Sequence, residues 1–134
     1  MPRRRLFSIV LKALLGVVLL CVAVLALLGP SSVSLHEEVL HEERSQDSGV
    51  TYEDVGSWYS SDLYLLKILR PTGVRYELHI GPQAEISYYP VVLALGAAGE
   101  PRISDVAWSP DRVAVRFESG ETLEVPADNF RSVR

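Results

Sequence analysis

Cysteine is nearly absent from this chain of 134 residues. The single cysteine, Cys21, lies inside a long apolar run, so no disulfide within the chain can stabilise the remainder of the protein. Lysine is also scarce, because only Lys12 and Lys67 stand among the 13 basic residues. This preference for arginine is typical of a GC-rich coding genome and gives a slight indication of a bacterial source.

Acidic residues do not occur before Glu37. Residues 31–134 then carry 9 basic against 17 acidic residues, which gives them a net charge of −8. Nucleic-acid phosphates require clustered basic charge, and this part of the chain has the opposite balance. A nucleic-acid partner is therefore excluded from the functions considered.

Residues 6–28 form an apolar run that only Ser8 and Lys12 interrupt. As a helix, about 23 residues are roughly 34 Å long, which is enough to cross a hydrocarbon core of about 30 Å. Arginines at positions 3–5 precede the run, and the next basic residue after it is Arg44. The positive-inside rule then predicts a cytoplasmic N-terminus and an extracytoplasmic C-terminal domain. We assign residues 1–30 to a basic tip and a single-pass transmembrane anchor.

A cleaved signal peptide is the alternative for this segment. Small residues at 24–26 and 32–34 loosely fit a cleavage pattern, and cleavage would give a secreted protein. The apolar run is longer than the usual signal-peptide core of about 7 to 15 residues, which favours the anchor in the cell membrane. Lipid attachment at Cys21 is disfavoured because Leu20 stands where a small residue is expected.

The stretch LHEEVLHEER at 35–44 contains His-Glu-Glu twice and suggests a metal site. In the HExxH motif of zinc peptidases the histidines are four residues apart and share one helical face. His36 and His41 are five apart, so they differ by about 140° around a helix and point to opposite faces of a regular strand. We therefore interpret 31–49 as a polar stalk or first strand. A metal site would need an irregular backbone or a third ligand such as His79.

Alternation of apolar and polar residues predicts a β domain over residues 50–134. A buried strand at 62–70 has Tyr64, Leu66 and Ile68 on one face, and 74–80 pairs with it as a hairpin that places His79 on the polar surface. Further strands are predicted at 103–108, 113–118 and 122–125. Pro90 confines a strand near 86–95 to an edge or a bend, and 96–101 reads as a flexible loop. The predicted fold is an N-terminal transmembrane helix followed by a small all-β antiparallel sandwich or rolled sheet of about six or seven strands.

Catalytic motifs are hard to find in the sequence. It contains no nucleophile elbow and no phosphate-binding glycine loop. Asp105 and Asp111 could form a catalytic carboxylate pair, but Asp111 is expected to cap a turn and Asp105 to be solvated. We predict no catalytic residues, no cofactor and no bound metal. Four aromatic residues form a possible interaction surface: Trp58, Tyr59, Tyr88 and Tyr89.

The segment Trp108-Ser109-Pro110-Asp111 followed by an alternating strand resembles the W-S-P-D-G turn of TolB-type β-propeller blades, with Arg112 in place of the glycine. It occurs once, and a propeller needs at least four blades. The whole layout resembles small single-span bacterial envelope proteins of uncharacterised function. That resemblance implies no activity. The anchor, the acidic C-terminal part and the missing catalytic set favour a non-catalytic, membrane-tethered module that binds another envelope component. The alternative is a small metal-dependent or hydrolytic enzyme that uses the histidines and carboxylates. The oligomeric state stays open.

Overall fold

The computed structural model of the chain describes residues 2–28, 33–94 and 99–133. Residues 29–32, at the boundary between the predicted anchor and the predicted stalk, and part of the predicted flexible loop, residues 96–98, lie outside these ranges. The described residues form an N-terminal helix, nine β-strands, a short 3-10 helix and one turn of helix near the C-terminus.

Helix α1 covers Pro2–Leu28. Its segment Arg4–Leu27 is long and apolar enough to cross a membrane, and none of the most apolar window is buried in the protein. A signal sequence near an N-terminus would meet the same criteria. The apolar helix predicted for residues 6–28 is thus confirmed.

The strands follow in chain order, with the 3-10 helix at Ser45–Ser48 between the first two and helix α2 after the last. Their bounds are β1 His36–Arg44, β2 Tyr52–Asp54, β3 Ser57–Tyr59, β4 Asp62–Arg70, β5 Gly73–Gln83, β6 Ser87–Leu93, β7 Ile103–Trp108, β8 Arg112–Phe117, β9 Thr122–Pro126 and α2 Ala127–Phe130.

The strands form three antiparallel sheets. A four-stranded sheet has the order β1-β4-β5-β6, a three-stranded sheet has the order β7-β8-β9, and β2 pairs with β3 as a separate hairpin. The predicted hairpin of β4 with β5 is confirmed. The strands predicted at 103–108, 113–118 and 122–125 are confirmed as β7, β8 and β9. The fold class of an apolar helix with a small β domain is confirmed as well. Pro90 lies in β6 at the edge of its sheet, as predicted.

One hydrophobic core lies between the two larger sheets. The four-stranded sheet contributes Leu63, Leu65, Leu78 and Ile80. The smaller sheet contributes Val106, Trp108, Val113, Val115, Phe117 and Val125. We call this side of the four-stranded sheet the core face and the opposite side the outer face. Val113, Val115 and Phe117 point inward, because alternation on an antiparallel strand buries every second residue.

Aromatic side chains close one end of the core. Phe130 from α2 is fully buried and meets the Tyr52 ring edge to face, with ring centroids 5.0 Å apart. The Tyr52 hydroxyl donates to the carbonyl of Ser109 over 2.8 Å, which links the β2–β3 hairpin to the turn between β7 and β8. Asp111 accepts from the Ser109 hydroxyl in that turn, as its predicted capping role requires.

Candidate functional site

The two histidines of the repeated His-Glu-Glu lie on β1, an edge strand of the four-stranded sheet. The prediction that their odd spacing puts them on opposite faces is wrong, because a bulge between Val39 and His41 shifts the register. His36 pairs with Leu69 and His41 with Leu65, and these two leucines share one face of β4. Their partners Leu69 and Leu65 are four positions apart on β4, which corresponds to about 13 Å along the strand. This separation is too large for one metal ion to bind both histidines.

The His41 ring has a different partner. Its Nε2 atom lies 3.2 Å from Oε2 of Glu43, which shares its face two residues along β1. Among residues 2–28, 33–94 and 99–133, no group of three His, Cys, Asp or Glu side chains could hold a metal ion. The geometry offers no support for a zinc site at this repeat.

His79 is the third predicted ligand, and its predicted surface position is wrong. The residue is only 6% exposed on the outer face of β5. Its ring stacks on that of Tyr88, with centroids 3.7 Å apart and planes inclined by 6°. With its proton on Nε2, the ring donates over 2.9 Å to Oε2 of Glu77.

Glu77 is the centre of a polar network on the outer face and is itself only 8% exposed. Its Oε1 atom lies 3.1 Å from Nε of Arg75 and 3.5 Å from a terminal nitrogen of Arg70. Arg70 stands at the end of β4, so its side chain must pass over the row of Ile68 to reach Glu77. The aliphatic stem of an arginine can cover apolar surface in this way, which explains why Ile68 is buried. These contacts pair the charges on the outer face, although the buried Nε atom of Arg70 has no hydrogen-bond partner.

The four aromatic residues proposed as an interaction surface do not come together. Tyr88 stacks on His79, Tyr89 packs against the core, and the hydroxyl of Tyr59 donates to the carbonyl of Arg131. Burial raises the pKa of Tyr59 to about 12, because the buried phenol resists ionisation. Trp58 differs from these three, since it remains 68% exposed.

Trp58 belongs to the β2–β3 hairpin, which lies between β1 and β4 in the chain and forms a separate sheet. Tyr52 pairs with Tyr59 on the side that faces the protein, whereas Glu53 pairs with Trp58 on the exposed side. At the base of this segment, the N–H of Ser45 donates a hydrogen bond to the carbonyl of Ser61 over 2.8 Å. The hairpin is therefore held at its base and along its inner side, and its outer side faces solvent.

The turn of this hairpin carries the second exposed apolar side chain, Val55. Val55 and Gly56 have φ angles of 48° and 77°, positive at both central positions as in a type I′ turn. A β-branched residue rarely adopts positive φ, since its side chain crowds the backbone. Val55 is nevertheless 80% exposed, so burial of its own side chain does not offset the strain. We call Val55, Trp58 and the adjacent Glu53 the hairpin tip.

Sequence reasoning named Trp58 but missed Val55, Glu53 and the hairpin that carries them. Strands β2 and β3 have only three residues each, too few for alternation to stand out, and valine is not a turn former. The useful signal is the tetrapeptide Asp54-Val55-Gly56-Ser57, which Tyr52-Glu53 precedes and Trp58 follows. The Asp105 and Asp111 pair is not formed, since Asp105 pairs with Arg116 within the sheet whereas Asp111 lies in the turn.

The chain matches no known family model, and no curated protein or solved structure is detectably similar to it.

Proposed function

We propose that the protein is a single-span membrane protein whose β-sandwich lies outside the cytoplasm and binds another envelope protein through the hairpin tip. The observation that carries this proposal is the exposed, strained pair of Val55 and Trp58 on a hairpin that is firmly held at its base. The proposal assigns no chemical reaction to the sandwich.

The residue types at the tip support a binding role. Tryptophan is enriched among the residues that contribute most to protein–protein binding, where its ring fills a desolvated pocket. Strained backbone positions cluster at functional sites, and Val55 has a positive φ on the same short hairpin that exposes Trp58. The partner is therefore a protein with an apolar cleft that accepts both side chains.

The position of the tip also fits a tethered module. The chain leaves α1, enters the sheet at His36 and reaches the hairpin only after Arg44, the other end of β1. A strand of nine residues is about 30 Å long. If α1 remains in the membrane, the hairpin tip therefore projects from the end of the sandwich farthest from the tether.

Site-specific photo-crosslinking in the full-length membrane protein tests this function. A photo-reactive amino acid at position 58 is expected to form one discrete protein adduct. The same group at Ala107, an exposed position on β7, is the matched control and is expected to form none.

The substitution Val55→Asp decides whether the adduct depends on the tip. Aspartate tolerates positive φ, so the turn should fold, but its charge is incompatible with an apolar cleft. We expect the adduct to be lost while the thermal unfolding transition is retained. An adduct that survives Val55→Asp, or equal adducts from positions 58 and 107, would refute the proposed function.

A further inference from the structure

Three apolar side chains are exposed at the end of the four-stranded sheet where the chain arrives from α1. Leu35, Leu69 and Val74 are 61%, 43% and 49% exposed. They lie on adjoining segments, because the N–H of Leu35 donates over 2.8 Å to the carbonyl of Leu69, and Leu69 pairs with Val74. All three are thus exposed apolar residues at one end of the sheet, and we call this patch the sheet end.

The exposure of the sheet end follows from the unequal lengths of the two sheets. Leu69 and Val74 continue the alternation that places Leu65 and Leu78 on the core face. The strands of the smaller sheet are five or six residues long, whereas β4 and β5 have nine and eleven residues. The smaller sheet therefore covers Leu65 and Leu78 but does not reach the sheet end.

The tether restricts what can cover this patch. Seven residue steps separate Leu28, the last residue of α1, from Leu35, and a fully extended chain of that length spans at most about 25 Å. The 24 residues Arg4–Leu27 are about 36 Å long as a helix, so they end near the surface of a bilayer whose hydrocarbon core is about 30 Å thick. The sheet end is therefore the part of the sandwich that is closest along the chain to the lipid surface.

The basic side chains nearest the patch are already paired. Lys67 lies 3.0 Å from Glu100, and both Arg70 and Arg75 contact Glu77. Basic side chains that are held by the protein's own carboxylates have little capacity left for lipid phosphates. Contact with a bilayer would thus depend on apolar burial rather than on anionic lipid.

We propose that the sheet end rests on the outer surface of the bilayer that holds α1, with Leu35, Leu69 and Val74 among the lipid head groups. This inference rests on the anchoring part of the proposed function. It adds a defined orientation, in which the sandwich stands on its apolar end and directs the hairpin tip away from the membrane.

Fluorescence quenching in phosphatidylcholine vesicles that carry a shallow nitroxide group on the lipid tests the contact. The full-length chain is reconstituted in a Cys21→Ala background with one labelled cysteine at a time. Val74→Cys reports on the sheet end and Val24→Cys on the outer part of α1. Ile86→Cys, an exposed apolar position in the turn at the other end of β5, is the matched control.

We expect the lipid nitroxide to quench the fluorescence of labels at positions 24 and 74 and not that of the label at position 86. Quenching at 24 alone would refute the contact but leave the anchor intact. Quenching at all three positions would refute the proposed orientation, since the sandwich would then touch lipid without preference for one end. No quenching at position 24 would refute the anchor, and the contact with it.

Discussion

The backbone at Val55 has a conformation that favours glycine, asparagine or aspartate over valine. Val55→Asn relieves this strain, so we expect the free energy of unfolding to rise by about 1 kcal/mol. Thermal denaturation of the protein in detergent should show a higher Tm. Val92→Asn, at an exposed strand position with ordinary φ, should not raise it. Equal effects of the two substitutions would contradict a strained turn.

Glu77 is the residue on which the outer face depends most. Glu77→Gln removes the carboxylate charge that faces Arg70, Arg75 and His79. We expect the free energy of unfolding to fall by about 2 kcal/mol or more, since a buried charge network loses its counter-charge. Glu118→Gln, on an exposed turn, should change it by less than about 0.5 kcal/mol. Chemical denaturation compares the two variants, and similar stabilities would contradict the network.

Two buried phenols make stability depend on alkaline pH. Burial is the main cause that raises the pKa of Tyr52 and of Tyr59 to about 12 from the ordinary value of 10.0. Because the folded-state pKa exceeds the unfolded one, the stabilisation is complete below pH 10 and is lost as the pH rises towards 12. We expect the pH-dependent fall in unfolding free energy to be shallower in Tyr52→Phe. Tyr76→Phe, which leaves both of these phenols in place, serves as the control, and identical slopes in both variants would contradict the assignment.

His79 shows where sequence reasoning fails at the level of single residues. Its alternation with Leu78 and Ile80 correctly places it on the face opposite the core. Alternation cannot reveal that the stem of Arg70 and the ring of Tyr88 cover that face, because both contacts depend on how side chains fold over the sheet. A position on the polar face is therefore not the same as a position in solvent.

Among the elements, β1 accounts for the repeated His-Glu-Glu without a metal. Edge strands expose unpaired backbone groups, and charged side chains and bulges protect such edges from pairing with other chains. Strand β1 has both features, with four glutamates and a bulge after Val39. The repeat is thus explained by the position of the strand in its sheet.

Removing charge from β1 should promote self-association. We expect Glu37→Thr combined with Glu42→Thr to produce concentration-dependent oligomers in analytical ultracentrifugation, because threonine favours strand pairing and the repulsion is reduced. Glu118→Thr with Glu121→Thr changes the net charge equally on a turn and should leave the protein unassociated. Association of both variants to the same extent would attribute the effect to net charge alone.

The long hairpins are predictable from the sequence because strict alternation over six or more residues is typical of a strand with one buried face. Strands of three residues, such as β2 and β3, give no comparable pattern, and the bulge in β1 has no clear sequence signature. The spacing of the histidines is therefore misleading, because it assumes a regular strand and β1 is not regular. The hairpin tip lies on the short strands β2 and β3, and the repeated His-Glu-Glu lies on the bulged strand β1.

At the scale of the whole molecule, the unequal sheets and the separate hairpin give the sandwich two different ends. One end carries the apolar patch, which is the part of the sandwich nearest to α1 along the chain, and the other carries Val55 and Trp58. Hydropathy and alternation in the sequence predict an apolar helix and a two-layer β domain. They do not predict the two ends, because these depend on which strands pair and how far each sheet extends.

The intact anchor with an external hairpin tip is the central claim, and labelling of whole cells tests it most directly. A full-length chain with Cys21→Ala and Glu53→Cys is exposed to a small membrane-impermeant maleimide, and the mass of the labelled protein is then measured in the membrane fraction. We predict labelling before lysis on a chain that retains residues 2–28. Labelling only after lysis, or a labelled chain that lacks these residues and is found in the soluble fraction, would contradict the account.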